Sequence, residues 1–318
     1  MPAILVVAEM RDGTPTASTR ELLGLADSLG VTVIAVVFTP SADAVAGVKA
    51  HGAERVYWYE REEEDYDGEL WVAVTEQVAR DTAAAAILAS HTAAGADLAP
   101  RLAFRLQSAV ATGCTGIVSE EGKLLFTRAC YGGNVRETLS FPALPAVATV
   151  KAGVGVPKAE AARAGEVIRV TPPEFARRTR VVAREREAAD SQALEDAKII
   201  VAGGRGLEGP EGFRVLEGLA EVLGAAVGSS RVPCDLGWCP HSWQIGLTGK
   251  TVTPELYFAI GISGAAHHMA GCGNARTIVA INTDPEAAIF KGAHYGIVGD
   301  YRKVVPALVA ALKEPDKS

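Results

Sequence analysis

Several short stretches in the last third of the chain carry residues able to do chemistry. Gly204-Arg205-Gly206-Leu207-Glu208-Gly209 has G-x-G-x-x-G spacing after an apolar run. Such a run is either a plain glycine turn with an exposed arginine, or a close backbone approach to phosphate with Arg205 as counter-charge. Gly209-Pro210-Glu211-Gly212 delays the helix that a dinucleotide fingerprint needs. Gly228-Ser229-Ser230-Arg231 sets small residues beside a cation, which suits either a planar or anionic ligand or a surface salt bridge. Gln244-Ile245-Gly246-Leu247-Thr248-Gly249-Lys250 is either a hairpin turn or a polar loop offering the Thr248 hydroxyl and open amides. Gly261-Ile262-Ser263-Gly264-Ala265-Ala266-His267-His268 reads as a strand end, a small-residue turn and a helix start, where free N–H groups and the dipole favour phosphate. Adjacent helical histidines point about 100° apart, so His267 and His268 do not share one metal easily. Asn282 and Asp300 follow two further apolar runs and can equally cap helices.

No G-x-S-x-G elbow, Walker A loop or H-E-x-x-H pair is present, and no nucleophile is visibly paired with a base. The expectation is a site that holds a ligand. Cys234, Cys239 and His241 are close in sequence, but C-x-x-x-x-C-P-H lacks a fourth ligand and is not a zinc pattern; buried or idle thiols are the simpler reading.

The elements that would position these residues alternate. Ile4–Ala8, Val31–Phe38, Arg55–Tyr59 and Ala85–Ala89 read as strands. Ala17–Leu29, Ala42–His51, Leu70–Asp81 and Leu98–Leu106 read as helices, the first capped near Ser18 or Thr19. Thr115–Ser119, Lys123–Arg128, Val135–Ser140, Ala146–Val150 and Val167–Thr171 add strands. Glu185–Glu195 reads as a charged linker. Beyond it, strands at Lys198–Ala202, Ala225–Gly228, Tyr257–Ile260, Thr277–Ile281 and Tyr295–Val298 alternate with helices at Phe213–Leu223, His267–Ala270 and Val304–Leu312. The expected fold class is α/β in two domains, residues 1–190 and 191–318, each a largely parallel sheet flanked by helices, the second doubly wound. In such a sheet the ligand sits at the carboxyl ends of the strands, where these loops fall.

Bulk properties agree. The chain has 318 residues, 48% of them hydrophobic, enough for two cores. Its net charge of −7 without a basic stripe argues against nucleic acid. No apolar run approaches the roughly 18 residues of a membrane span. The Met1–Val7 start reads as a first strand, with no basic leader or cleavage site. Five cysteines, an odd number with no C-x-x-C pair, fit a reducing compartment, and the cytoplasm is expected.

In this order the pieces resemble the α subunit of electron-transfer flavoproteins. The resemblance is carried by Ala202-Gly203-Gly204-Arg205-Gly206, Gly228–Arg231, Gly246–Lys250, Pro254-Glu255-Leu256-Tyr257, Gly261–Ala265, Ile278–Asn282, Asp284-Pro285-Glu286-Ala287 and Tyr295–Val298. It is looser through Tyr131-Gly132-Gly133-Asn134 and Phe141–Pro145. It implies FAD held mainly by the C-terminal domain, with a β subunit completing the complex and carrying AMP. The N-terminal domain would pack on that subunit. It further implies Arg231 against the isoalloxazine ring, Thr248 near flavin N5 and His268 near the C2 carbonyl. Arg205, Ser230, Ser263, Asn282 and Asp300 would hold the ribityl, phosphate or adenosine parts. Ile245, Gly246, Leu247, Gly249, Gly264, Ala265, Ala266 and His267 complete the expected cofactor contacts. Leu247 and His267 stand where many relatives have glutamine.

Reduction places negative charge on the N1–C2=O edge of flavin, which a cation stabilises. A unit charge ~4 Å away at an effective dielectric near 20 is worth at most about 4 kcal/mol, on the order of 170 mV for one electron. The implied role is a carrier taking electrons from flavin dehydrogenases, such as the acyl-CoA dehydrogenases of fatty acid oxidation, to a quinone-linked oxidoreductase. Alternatives are the α subunit of a bifurcating flavoprotein that oxidises NADH with a second FAD on the β subunit, and a self-contained flavin oxidase or dehydrogenase.

Overall fold

A computed structural model describes residues 3–131, 135–159, 165–179, 182 and 194–313. Gly132, Gly133 and Asn134 of the first-domain resemblance, and most of the expected linker, lie outside these residues. The chain divides into two compact units, Met1–Arg184 and Glu185–Ser318.

The first unit contains β1 (Ala3–Ala8), β2 (Met10–Arg11), β3 (Thr14–Pro15), α1 (Ala17–Ser28), β4 (Thr32–Thr39), α2 (Ala42–Ala50), β5 (Arg55–Glu60) and α3 (Gly68–Thr82). It continues with β6 (Ala86–Ser90), α4 (Ala93–Arg105), β7 (Val110–Glu120), β8 (Lys123–Cys130), β9 (Val135–Leu139), β10 (Ala146–Val150) and β11 (Glu166–Arg169). Its nine-stranded sheet runs β11-β5-β4-β1-β6-β10-β7-β8-β9, antiparallel only where β8 pairs with β7 and β9. The unbroken apolar run of β1 explains its central place. Ile4, Val6 and Ala8 enter one core layer while Leu5 and Val7 enter the other. Each such buried Leu, Ile or Val contributes roughly 1.5–3 kcal/mol, so a charged residue at Val6 would break the layer.

The sequence misplaces two helix starts. The cap of α1 is Thr16, whose side chain accepts from the Thr19 amide. Thr19 instead exchanges hydrogen bonds with the Glu9 backbone, 2.9 Å each way. Helix α4 begins at Ala93, capped by Thr92, and not at Leu98. Pro100 suggests a first helical turn in sequence, but it lies inside α4 on the exposed side, and the preceding Ala-Ala-Gly-Ala has no apolar period to announce a helix.

The second unit contains β12 (Ile199–Gly203), α5 (Glu211–Leu223), β13 (Ala226–Ser229), α6 (Arg231–Asp235), β14 (Leu256–Ile260), α7 (Ala266–Cys272), β15 (Ile278–Asn282), α8 (Ile289–Gly292), β16 (Tyr295–Val298) and α9 (Tyr301–Lys313). Its five strands are all parallel in the order β13-β12-β14-β15-β16. Two core layers cover the sheet's faces, one around Ile200, Tyr257 and Ile278, the other around Val201, Phe213, Leu216 and Ile260. The chain order reverses between β12 and β14, a switch point at whose carboxyl edge a ligand crevice is expected. The short helices α6 and α8 escape sequence reading because five- and four-residue turns carry no periodicity.

Candidate cofactor site

A cavity of about 1230 Å³ opens at that edge, lined by the loops that follow β12, β13, β14 and β15. Its size exceeds the range of roughly 300–1,000 Å³ typical for drug-sized ligands, and so suits a dinucleotide. Arg205, Ser230 and Arg231 come to its wall from the first two loops. Ile245, Gly246, Leu247 and Thr248 come from the segment after α6, Ser263 and Ala265 from the β14–α7 turn, His267 and His268 from the first turn of α7, and Asn282 from the end of β15.

The G-x-G glycines have a structural role of their own. A Cβ on Gly204 would lie 2.2 Å from the Gly261 carbonyl oxygen, and Gly261 itself has φ +63°. The Gly206 amide donates to the Gly261 carbonyl over 3.0 Å. These glycines therefore let the β12 and β14 loops touch backbone to backbone, which fixes the floor of the crevice. Arg205 projects from this junction and stays exposed.

The 244–250 segment is strapped to α7. The Leu247 amide donates to the His267 carbonyl at 2.7 Å, the Val252 amide to the Gly271 carbonyl at 2.8 Å, and Gly246 takes φ +145°. Gln244 is nearly buried, and its Nε2 donates to Thr248 Oγ1 at 3.0 Å. With one lone pair so engaged, the Thr248 hydroxyl keeps its own proton to donate into the cavity.

His268 is arranged differently from the sequence expectation. Its Nδ1 lies 3.1 Å from the Ile245 carbonyl, which can only accept, so Nδ1 carries the proton. Its Nε2, 3.0 Å from the Tyr257 hydroxyl, then accepts from it. Burial pushes its pKa down to about 4, so the ring is neutral at pH 7. Burial also pushes the pKa of Tyr257 up, which keeps the phenol a donor. Both ring nitrogens are committed, so His268 has no N–H free for a C2 carbonyl in this arrangement. Its clear action is to hold the Ile245–Thr248 segment in place. His267, on the adjacent face, is exposed.

Arg231 Nε pairs with Asp235 Oδ2 at 3.0 Å, one helical turn on, and the pair is largely exposed. Its field is therefore well below the bare-charge estimate. Asn282 Nδ2 donates to the Ile262 carbonyl at 2.9 Å, and its Oδ1 accepts from the Asp284 amide. Gly249, Gly264, Ala266 and Asp300 are not on the cavity wall. Gly264 packs on α8, where a Cβ would meet the Ile289 amide nitrogen at 2.2 Å, and Gly249 folds back on Gln244. Asp300 opens α9, accepting from the Arg302 amide at 2.9 Å. Sequence reasoning missed Glu208, Trp238, Gln244, Ile262, Asp284 and Glu286 as wall residues. Asp284 and Glu286 could have been found as polar residues directly after a strand end; Trp238 has no such signal. Helix α7, seven residues long, has only a small macrodipole, so side chains and amides supply the polarity instead. No group of three metal-ligating side chains occurs among the described residues.

The electron transfer flavoprotein domain model matches residues 4–175, and the electron transfer flavoprotein FAD-binding domain model matches residues 193–273. The chain is 41% identical to electron transfer flavoprotein subunit alpha of Thermoanaerobacterium thermosaccharolyticum, over 98% of each chain. It is 38% identical to the subunit of the same name from Bacillus subtilis, over 98% of this chain and 97% of that one. It is also 38% identical to the protein FixB of Clostridium saccharobutylicum, over 98% of this chain and 96% of that one.

The chain belongs to the electron transfer flavoprotein alpha-subunit family.

The FAD-binding domain match falls within its second unit and covers most of the crevice wall, while Asn282, Asp284 and Glu286 lie beyond the matched range. The residues present fit such a cofactor. The cavity has dinucleotide size, a hydroxyl with a free proton at Thr248 and two cations for the diphosphate or the ring edge. The acids Glu208, Asp284 and Glu286 line it too; carboxylates suit sugar hydroxyls or an amino group, not phosphate. The two signs of charge would therefore select orientation.

Proposed function

We propose that this chain is the FAD-binding subunit of a two-chain electron carrier. A β subunit would complete the complex and carry AMP, and the first unit of this chain would pack on it. FAD, when bound, supplies reversible one- and two-electron chemistry. The chain's own residues bind, orient and tune it. Arg231 stabilises negative charge on the reduced ring, and Thr248 donates toward N5. Ser230, Ser263, Asn282 and Arg205 hold the ribityl and diphosphate, with the backbone of Ile245, Gly246, Ala265 and His267 alongside. His268 and Tyr257 keep the Thr248 segment in register. Leu247, 62% exposed, presents an apolar contact at the mouth.

One observation carries this reading: an arginine, a donor-ready threonine and a neutral buried histidine meet at the carboxyl edge of a parallel sheet, in a cavity too large for a small substrate. The donors would be acyl-CoA or similar flavin dehydrogenases, the acceptor a quinone-linked oxidoreductase, and the compartment the cytoplasm. No helix among the described residues is long and apolar enough to cross a membrane.

The test is co-expression with the neighbouring β subunit, followed by an absorbance spectrum and nucleotide analysis. One FAD with one AMP per heterodimer supports the carrier. Two FAD would replace it with a bifurcating complex. Rapid reduction of the chain alone by a small substrate would make it an oxidase or dehydrogenase.

A further inference from the structure

Cys234 and Cys239 are not among the residues lining the cavity, but they bracket two of its wall residues, Leu236 and Trp238. Their sulfurs lie 3.5 Å apart. The turn between them is closed by Gly237 N donating to Cys234 O at 3.0 Å and Trp238 N donating to Pro233 O at 2.9 Å. Gly237 takes φ +71°, a conformation that reverses the chain without strain only in glycine. Covalent closure to the roughly 2.05 Å of a disulfide needs the sulfurs to approach by about 1.5 Å. Cys234 is 2% exposed, while Cys239 is half-buried and meets solvent first. The Cys239 thiol, donating to Cys234 Sγ, lowers the Cys234 pKa to about 7, with the nearby His241 helping; the same contact pushes that of Cys239 up. Near neutral pH part of the population has one proton shared between the two sulfurs, unlike Cys114 and Cys272, whose thiols burial pushes up to about 11 and about 12.

We propose that Cys234 and Cys239 form a redox-active dithiol that closes to an intramolecular disulfide by exchange with a low-molecular-weight disulfide, RSSR, and so stiffens one wall of the cavity. In the minor form in which the shared proton sits on Cys234, the outer sulfur Cys239 is the thiolate and attacks RSSR; one S–S bond breaks and RS⁻ leaves. Cys234 then gives the proton to that RS⁻, and its thiolate attacks the Cys239 sulfur of the mixed disulfide, expelling the second RS⁻. The two cysteines are oxidised, RSSR is reduced to RSH and RS⁻, and charge and hydrogen balance. Arg231 and Val232, in the helix leading into the turn, line the same cavity. The crosslink would therefore restrict this wall of the cavity. The crosslink itself does not depend on the flavin reading; its effect on flavin release does.

The test uses the full-length chain purified with its partner subunit, fully reduced and then exposed to oxidised glutathione, with non-reducing peptide mapping. The expected product is a Cys234–Cys239 crosslink lacking two hydrogens and retaining no glutathione. Cys234→Ser should stop at a glutathione adduct on Cys239, and Cys239→Ser should leave Cys234 unmodified. A stable adduct on Cys239 in the unsubstituted protein, or no reaction at either residue, overturns the dithiol. FAD release should be several-fold slower from the oxidised than from the reduced protein, and unaffected by oxidant in Cys239→Ser. Equal release from a mapped crosslinked protein overturns the coupling to the cavity. A protein that crosslinks but holds no flavin would sink the functional reading and leave the dithiol standing.

Discussion

The two units build the same kind of edge and finish it in opposite ways. In the first, the polar residues at the carboxyl ends of β1, β6 and β10 turn on each other. Thr92 Oγ1 donates to Glu9 Oε1 at 2.6 Å, His91 Nδ1 lies 2.8 Å from Thr149 Oγ1, and that oxygen also accepts from the Gly113 amide at 2.9 Å. In the second, Arg205, Arg231, Thr248 and Ser263 line open space. A parallel sheet makes the crevice available, and the side chains decide whether it is filled from within or left for a ligand. In protonation the two shifts have opposite signs and the same outcome. Burial raises the Glu9 pKa and lowers that of His268, so each edge is happiest with its titrating group neutral.

The largest effect that could break this comparison is its dependence on pH. For His268, stability is fully present above the unfolded value near 6.5 and is lost as pH falls through about 4. The shift corresponds to about 3 kcal/mol. For Glu9 the sign reverses: stability is present below the ordinary carboxylate value and lost as pH rises through the raised pKa. Unfolding of unsubstituted protein, His268→Gln and Glu9→Gln between pH 4 and 8 should show His268→Gln losing the acid-side slope of the second unit. Glu9→Gln should lose only an alkaline-side slope of the first. Parallel curves for all three proteins would contradict both assignments.

Next is Gly204→Ala. A methyl 2.2 Å from a carbonyl oxygen should cost about 1–3 kcal/mol in denaturant unfolding and release flavin. Gly13→Ala on the first unit has open space but φ +75°, and should cost less without touching flavin. Similar losses from both would mean that the β12–β14 junction is not special.

Smaller again is Arg231→Ala. With the cation exposed and paired to Asp235, on the order of 1 kcal/mol, or about 40 mV, is expected as a fall in flavin potential. Asp235→Asn should raise the potential. Potentiometric titration reads both, and an unchanged potential in Arg231→Ala rejects the charge argument. The smallest is Thr248→Val, which removes one donor and should weaken flavin binding by about 0.5–1.5 kcal/mol in an equilibrium titration. A larger loss would mean that the Gln244 amide, which loses its acceptor in this variant, needs that contact to hold the loop.

The α/β class and most strands were legible because unbroken apolar runs such as Ile4–Val7 and Ile278–Ile281 need cover on both faces. The loops forming the cavity were legible for the same reason: small and polar residues follow each strand end. Side-chain pairing was not. Nothing in Gly261–His268 announces that His268 spends both nitrogens on Tyr257 and Ile245, residues distant in sequence. The glycines of Gly204–Gly209 read equally as a plain turn or a phosphate approach, because the chain alone cannot show that Gly261 lies against them. Asp300 looked like a ligand and proves to start a helix, which a single residue after a strand leaves open.

The central claim is that the second unit's crevice, and no other part of this chain, holds the flavin. Ser263→Trp tests it most directly, since Ser263 is exposed on the cavity wall and an indole there would fill the crevice without entering the core. Flavin absorbance per complex, measured beside circular dichroism, should fall to near zero in Ser263→Trp with the fold retained, while the unsubstituted complex is yellow with one FAD on this chain. A folded Ser263→Trp complex that keeps its full flavin content would contradict the account.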